Sequence, residues 1–205
     1  GMVPVVAAMG DQDPYFSSHL LIEKAFAKED IPFNGIVAPG AGHGLSAAAR
    51  QEQLKRLGEY ADRGIHSFPK HIRFVTWTLK FSRCHWIEVL GLAEHYRRAE
   101  INARVADDGA ITIAEPQNIT RFAIHSPAVP GQDGSVTIGG TRVALPTTVA
   151  EPAHPLLFEK RGGKWTCSGT LDSATLTGKR PGLQGPMDDA FARPFLCVRG
   201  TGNAW

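Results

Sequence analysis

Cysteine is scarce in this 205-residue chain: Cys84, Cys167 and Cys197 stand far apart, with no C-x-x-C pair and no zinc-ligand spacing. A thiol–metal centre is not expected, and the odd count leaves the redox compartment open. Long apolar runs are lacking too. Val3 to Met9 falls far short of the ~20 residues a membrane helix requires, so no membrane span is expected. Charge of one sign is not in excess: 22 basic and 20 acidic residues leave a formal net charge of +2, with no like-charged run and no basic stripe among aromatics. Nucleic-acid binding therefore has no support. No basic n-region followed by a small-residue cleavage site is present, so no export signal is read.

What is present suits a folded protein. The chain is 42% hydrophobic and 20% charged, enough for one good core or two small ones. Gly1 before Met2 reads as a tag remnant. Val3 to Met9 reads as a strand buried on both faces, an odd opening that suggests a segment cut from a longer protein. Ser17 or Ser18 is placed to cap a helix whose apolar face runs Leu21, Ile22, Ala25, Phe26, ended by Ile31 and Pro32. A second apolar segment, Phe33 to Ala38, stops at Pro39-Gly40-Ala41-Gly42-His43-Gly44. Leu45 to Asp62 then carries Leu54, Leu57, Gly58 and Ala61 at helical spacing. A β-α-β-α order of this kind favours a parallel sheet.

From His71 the period falls to two. Val75, Trp77, Leu79 and Phe81 alternate with polar residues, as do Ala99, Ile101, Ala103 and Val105, before Asp108-Gly109 turns the chain into Ala110–Ala114. Gly139-Gly140 and Gly162-Gly163 read as hairpin turns joining Val136–Ile138 to Arg142–Leu145 and Leu156–Lys160 to Trp165–Ser168. The linker falls at Gly64–Pro69, where Pro69 disfavours helix at Phe68. The expected fold class is α+β: a β-α-β-α layer over residues 1–66, an antiparallel β-sandwich over 70–177, and an irregular tail over 178–205 with one strand, Phe195–Val198.

Chemistry is concentrated at the tips of the first two strands. One runs into Gly10-Asp11-Gln12-Asp13-Pro14 and the other into Gly40-Ala41-Gly42-His43-Gly44. Each taken alone is also a common turn. In this order, with a helix and a strand between, the segment from Pro4 to Gly44 resembles the end of a prolyl-oligopeptidase or acyl-aminoacyl-peptidase catalytic domain, an α/β-hydrolase. The resemblance implies Asp13, rather than Asp11, as the triad acid and His43 as the base. It also implies a peptide or ester substrate, no cofactor, and a layer over residues 1–66 that is an incomplete α/β-hydrolase segment.

Two features depart from that family. No G-x-S-x-G elbow occurs: Ser17 and Ser18 precede a helix, Ser46 follows the histidine loop, and Cys167-Ser168-Gly169 lacks the flanking glycine pattern. An acid and a histidine without the nucleophile and oxyanion donors are not expected to run acyl transfer alone. The chain also continues past the final helix. Its phrases Lys70–Lys80 and Lys179–Phe191 resemble the extra C-terminal β-region of some large bacterial prolyl-oligopeptidase-like proteins, which implies a periplasmic or secreted parent.

Other signals are weaker. His19, His66, His71, His85, His95, His125 and His154 form no metal-ligand pattern, and no metal site is expected. Gly40–Gly44 lacks the spacing of a phosphate loop, while Asp107-Asp108-Gly109 and Asp188-Asp189 suit a turn and a helix cap better than calcium. Trp77, Trp86, Tyr96 and Trp165 offer an aromatic platform for a sugar or peptide, but the stronger reading is that such rings on alternating strands fill a sandwich core or its edges. The rival function is thus a non-catalytic module binding carbohydrate, peptide or the missing catalytic domain. An open sheet edge leads to the expectation of a homo-oligomer.

Overall fold

The computed structural model describes residues 4–64, 66, 68–125, 134–146, 155–172 and 178–182. Among them the fold is α+β, with two helices and mostly β-sheet. The chain divides into two compact units, Gly1–Ser67 and Phe68–Trp205. The predicted strand Phe195–Val198, Cys197, His154 and Asp188-Asp189 lie outside the described residues, as do parts of the predicted linker.

The first unit runs β1 (Val6–Gly10), α1 (Phe16–Lys28), β2 (Asn34–Ala38) and α2 (Ala47–Arg63). β1 and β2 pair in parallel, Val6 opposite Asn34 through to Gly10 opposite Ala38. This register aligns their carboxyl ends, so the two following loops emerge side by side. Ser46 caps α2, its Oγ accepting from the Ala49 N–H at 3.3 Å, and Gly64 closes it at φ +66°. The core is small: Ile36, Ala38 and Ala49, with Val6, Ala8, Ala41 and Leu45 packed around them.

Both helices depart from their sequence reading. α1 begins at Phe16 behind Tyr15, without a side-chain cap, so Ser17 and Ser18 lie inside its first turn. Its predicted apolar face is mostly exposed, Leu21 at 64% and Ile22 at 41%, and the residue it buries is His19, between the rings of Phe16 and Phe33. On α2, Leu54 and Leu57 are exposed while Ala49 is buried. The periodicity marked a face correctly as apolar, but two strands are too narrow a sheet to cover it.

The second unit holds β3 (His71–Thr76), β4 (Arg83–Cys84), β5 (Ile87–Leu92), β6 (Ala99–Val105), β7 (Ile111–Ile113), β8 (Ile119–Ile124), β9 (Ser135–Ile138), β10 (Thr141–Ala144), β11 (Leu156–Arg161) and β12 (Lys164–Thr170). They form two five-stranded sheets, β10-β9-β7-β6-β3 and β12-β11-β8-β5-β4. Pairing is antiparallel throughout except between β7 and β9, which run parallel because the chain returns to the first sheet after β8. Both predicted Gly-Gly hairpins are present, with φ of +56° and +77° at Gly139-Gly140 and +55° and +79° at Gly162-Gly163, values that suit glycine in a two-residue turn. The expected alternation through Phe81 fails: β3 ends at Thr76, and Leu79–Phe81 form a short 3₁₀ turn with Leu79 fully buried.

Register sets the apolar faces. In the first sheet, Ile72 lies opposite Ala103, which lies opposite Ile113, which lies beside Ile138, and all four are buried. In the second, Val89, Phe122 and Phe158 lie in one cross-strand row. The Phe122 ring stacks on Phe158 at 5.1 Å and meets Trp165 at 5.2 Å. Phe122 is fully buried, so Phe122→Ala is expected to cost about 3–5 kcal/mol, the usual range for emptying such a site. Urea unfolding followed by the far-ultraviolet β-sheet signal checks this; a loss under about 1 kcal/mol would show that the rings do not hold the sheet.

Candidate active site

The loops after β1 and β2 are laced together by their backbones. Asp11 N–H donates to Ala38 O at 3.2 Å and Gln12 N–H to Ala41 O at 3.0 Å, while Ala41 N–H closes the second loop's own turn on Ala38 O at 3.3 Å. Gly10 permits this contact. A Cβ built there would fall 2.0 Å from the Ala41 carbonyl oxygen and 2.4 Å from that of Gly42, which no side chain tolerates. Gly40 supplies the other requirement, a turn at φ +67°. Its N–H donates to Asp11 Oδ1 at 2.7 Å, so Asp11 is a strut between the loops.

Asp13 has a different environment. Its side chain is 4% exposed and both carboxylate oxygens are engaged: Oδ1 accepts from the Tyr15 N–H at 2.8 Å, and Oδ2 lies 3.1 Å from His43 Nδ1. The first bond fixes the carboxylate in a turn that leads directly into α1, since Phe16 N–H donates to Asp13 O at 2.9 Å. The second selects the imidazole tautomer. A carboxylate only accepts, so the uncharged ring carries its proton on Nδ1 and leaves the Nε2 lone pair open. The His43 side chain is 85% exposed, and the Tyr15 ring stands edge-on beside it, centroids 6.3 Å apart. The sequence motif did not single out Tyr15; only the Asp-Pro-Tyr turn hints at it.

No family model, curated protein or solved structure matches this chain. What the site can do follows from its own geometry. A buried, doubly bonded carboxylate holding an exposed imidazole by Nδ1 is an acid–base pair with Nε2 presented outward. The serines considered from sequence do not complete it: Ser46 caps α2, Ser168 Oγ bonds Glu159 at 2.8 Å on β12, and Ser17 and Ser18 lie on exposed turns of α1.

The four aromatic candidates separate. Trp86 is buried, its Nε1–H donating to Pro69 O at 2.8 Å, and Trp165 is buried against Phe122 with Nε1 turned toward Glu115. The four-ring platform is thereby corrected: these two indoles fill the core, Trp165 from its place on β12 and Trp86 from the turn between β4 and β5. Trp77 and Tyr96 are exposed. Cys84 and Cys167 are half-buried, and burial pushes both thiols up from their ordinary range, so neither is an activated nucleophile.

The close approach of the loops yields a test within one motif. Gly10→Ala should separate the loops and break the Asp13–His43 bond, whereas Gly42→Ala should not, since a Cβ at Gly42 meets nothing within 4 Å. Long-range ¹H–¹⁵N spectra read the outcome. The native chain and Gly42→Ala should show His43 in the Nδ1–H tautomer, and Gly10→Ala and Asp13→Asn should lose that bias. An unbiased imidazole in the native chain would show that the carboxylate does not direct it.

Proposed function

We propose that this chain is the acid–histidine portion of a serine hydrolase of the prolyl-oligopeptidase type, acting on a peptide or ester bond in a larger parent and inactive by itself. The observation that carries the reading is the 3.1 Å contact between buried Asp13 and exposed His43, with each residue just past the carboxyl end of a parallel strand. In the parent, His43 Nε2 takes the proton of a serine hydroxyl as its oxygen bonds to the substrate carbonyl carbon. The same nitrogen then returns that proton to the departing amine or alcohol. Asp13 keeps the ring oriented and stabilises the imidazolium while the proton resides there. Serine and oxyanion donors come from the parent's other segments.

A second support is the narrow sheet of the first unit. Parallel strands are ordinarily buried on both faces of a wider sheet, yet among the described residues here the sheet has two strands, and Val37, Leu20, Leu21, Leu54 and Leu57 are exposed. An α/β-hydrolase layer cut from its remaining strands has this character. We read the second unit as an appended β-sandwich: each sheet has an apolar face, and β6 approaches β8 while β10 approaches β12.

Assays with p-nitrophenyl esters and peptide anilides test the function. Residues 1–205 should give no turnover that His43→Ala removes, and such turnover would reveal a complete site within this chain. In the parent polypeptide, His43→Ala and Asp13→Asn should each lower kcat by about a thousandfold or more. Equal hydrolysis without His43 would end the reading. The open strand edges and exposed aliphatics further lead to self-association of the isolated chain. Light scattering should give a mass above the 22.1 kDa of one copy, and that mass should fall toward one copy with Leu21→Glu or Leu54→Glu. A single-copy mass at all concentrations would contradict the association.

A further inference from the structure

Tyr15 reaches both partners of the candidate site at once, its backbone the acid and its ring the histidine. Its N–H donates to Asp13 Oδ1 at 2.8 Å, and its carbonyl accepts from the Ser18 N–H at 2.8 Å. These two bonds carry the chain from the Asp13 turn into α1, and any residue other than proline supplies them. The side chain gives the turn nothing further. α1 starts behind Tyr15 with no side-chain cap, and the ring, 65% exposed, is not part of the buried cluster of Ile36, Ala38 and Ala49. Among the described residues the ring it meets is that of His43, centroids 6.3 Å apart and planes at 68°, a separation at which edge-on aromatic pairs attract.

His43 has use for a second restraint. Its side chain is 85% exposed, and the contact from Nδ1 to Asp13 Oδ2 at 3.1 Å is its one hydrogen bond among the described residues. Water competes for the imidazole end of such a bond, so the loop backbone is fixed while the ring keeps its freedom to swing out. The two states differ chemically. Docked on the carboxylate, the uncharged ring carries its proton on Nδ1; released into water, an imidazole favours the Nε2–H form, with the proton on the nitrogen that must accept one. An aromatic neighbour of the docked imidazole is lost to it on swinging away, and so shifts the balance toward the docked state.

We propose that Tyr15 is a positioning residue for the acid–histidine pair: its ring holds the His43 imidazole on Asp13 in the Nδ1–H form, with Nε2 open to take a proton. The role rests on the acid–histidine reading of the site given above. It belongs to the ring and not to the hydroxyl, because the contact is one of ring against ring, and among the described residues no hydrogen bond joins the Tyr15 hydroxyl to His43.

Tyr15→Ala and Tyr15→Phe in the whole chain test it, since both keep the backbone bonds of residue 15. At a pH where the imidazole is uncharged, long-range ¹H–¹⁵N spectra read the ratio of the two His43 tautomers. Tyr15→Ala should lower the proportion of Nδ1–H to Nε2–H by about threefold, the small end for an edge-on pair because both rings face water. Tyr15→Phe should keep the native ratio, along with the through-space proton contact between the two rings. Urea unfolding followed by the amide signals of β1 and β2 should give the same midpoint for the native chain and Tyr15→Ala, because the ring is not part of the core. The proposal is overturned if Tyr15→Ala keeps the native tautomer ratio, or if Tyr15→Phe shifts it as far as Tyr15→Ala does. It is also overturned if the shift comes only with a lower unfolding midpoint, which makes the ring a support of the fold. Those three outcomes remove the role of Tyr15 and leave the acid–histidine reading standing, whereas an unbiased imidazole in the native chain removes both.

Discussion

Everything at the candidate site depends on one close backbone approach, that of Gly10 to the carbonyls of Ala41 and Gly42. The parallel register of β1 and β2 brings their ends level, but level ends alone leave two loops free to diverge. With no side chain at Gly10, the second loop lies directly on the first, and the hydrogen bonds between them use main-chain groups that would otherwise need water. Asp11 then braces the turn at Gly40, and Asp13 is left facing His43. Two aspartates two residues apart thus take different work because one points across to a backbone N–H and the other to an imidazole.

The two units rest on unequal cores. In the second, the ten strands among the described residues bury continuous cross-strand rows such as Ile72, Ala103, Ile113 and Ile138. In the first, one isoleucine and two alanines are the buried hydrophobic residues among those described. Folding free energy per residue follows apolar burial, so the histidine and its acid are mounted on the less secured part of the chain. The site geometry is maintained by local hydrogen bonds and a steric requirement rather than by deep packing.

Much was legible from residue patterns. The order of the first four elements, the strand at Ala99–Val105 and both Gly-Gly hairpins followed from periodicity and turn chemistry, because each is decided within a few residues. Where the reading failed, a distant contact had decided the outcome. Val75, Trp77, Leu79 and Phe81 alternate as a strand would, but burial of Leu79 and the side-chain bonds of Thr76 turn the chain after β3. Leu21 and Ile22 have helical spacing without a surface to cover them. Ser17 was an acceptable cap by type, yet Asp13 starts the helix earlier through its own bonds to Tyr15 and Phe16.

The sequence by itself determined the α+β class, the places where the chain must turn, and the chemical types that stand at the two strand tips, since these depend on local propensity and on side-chain alternation. Only the tertiary structure decided which aspartate meets the histidine, which tryptophans are buried and which exposed, and that Tyr15 stands beside the imidazole. Those outcomes depend on distances between residues remote in the chain, and such distances are set by register and by what packs over each face. Composition and spacing carry neither.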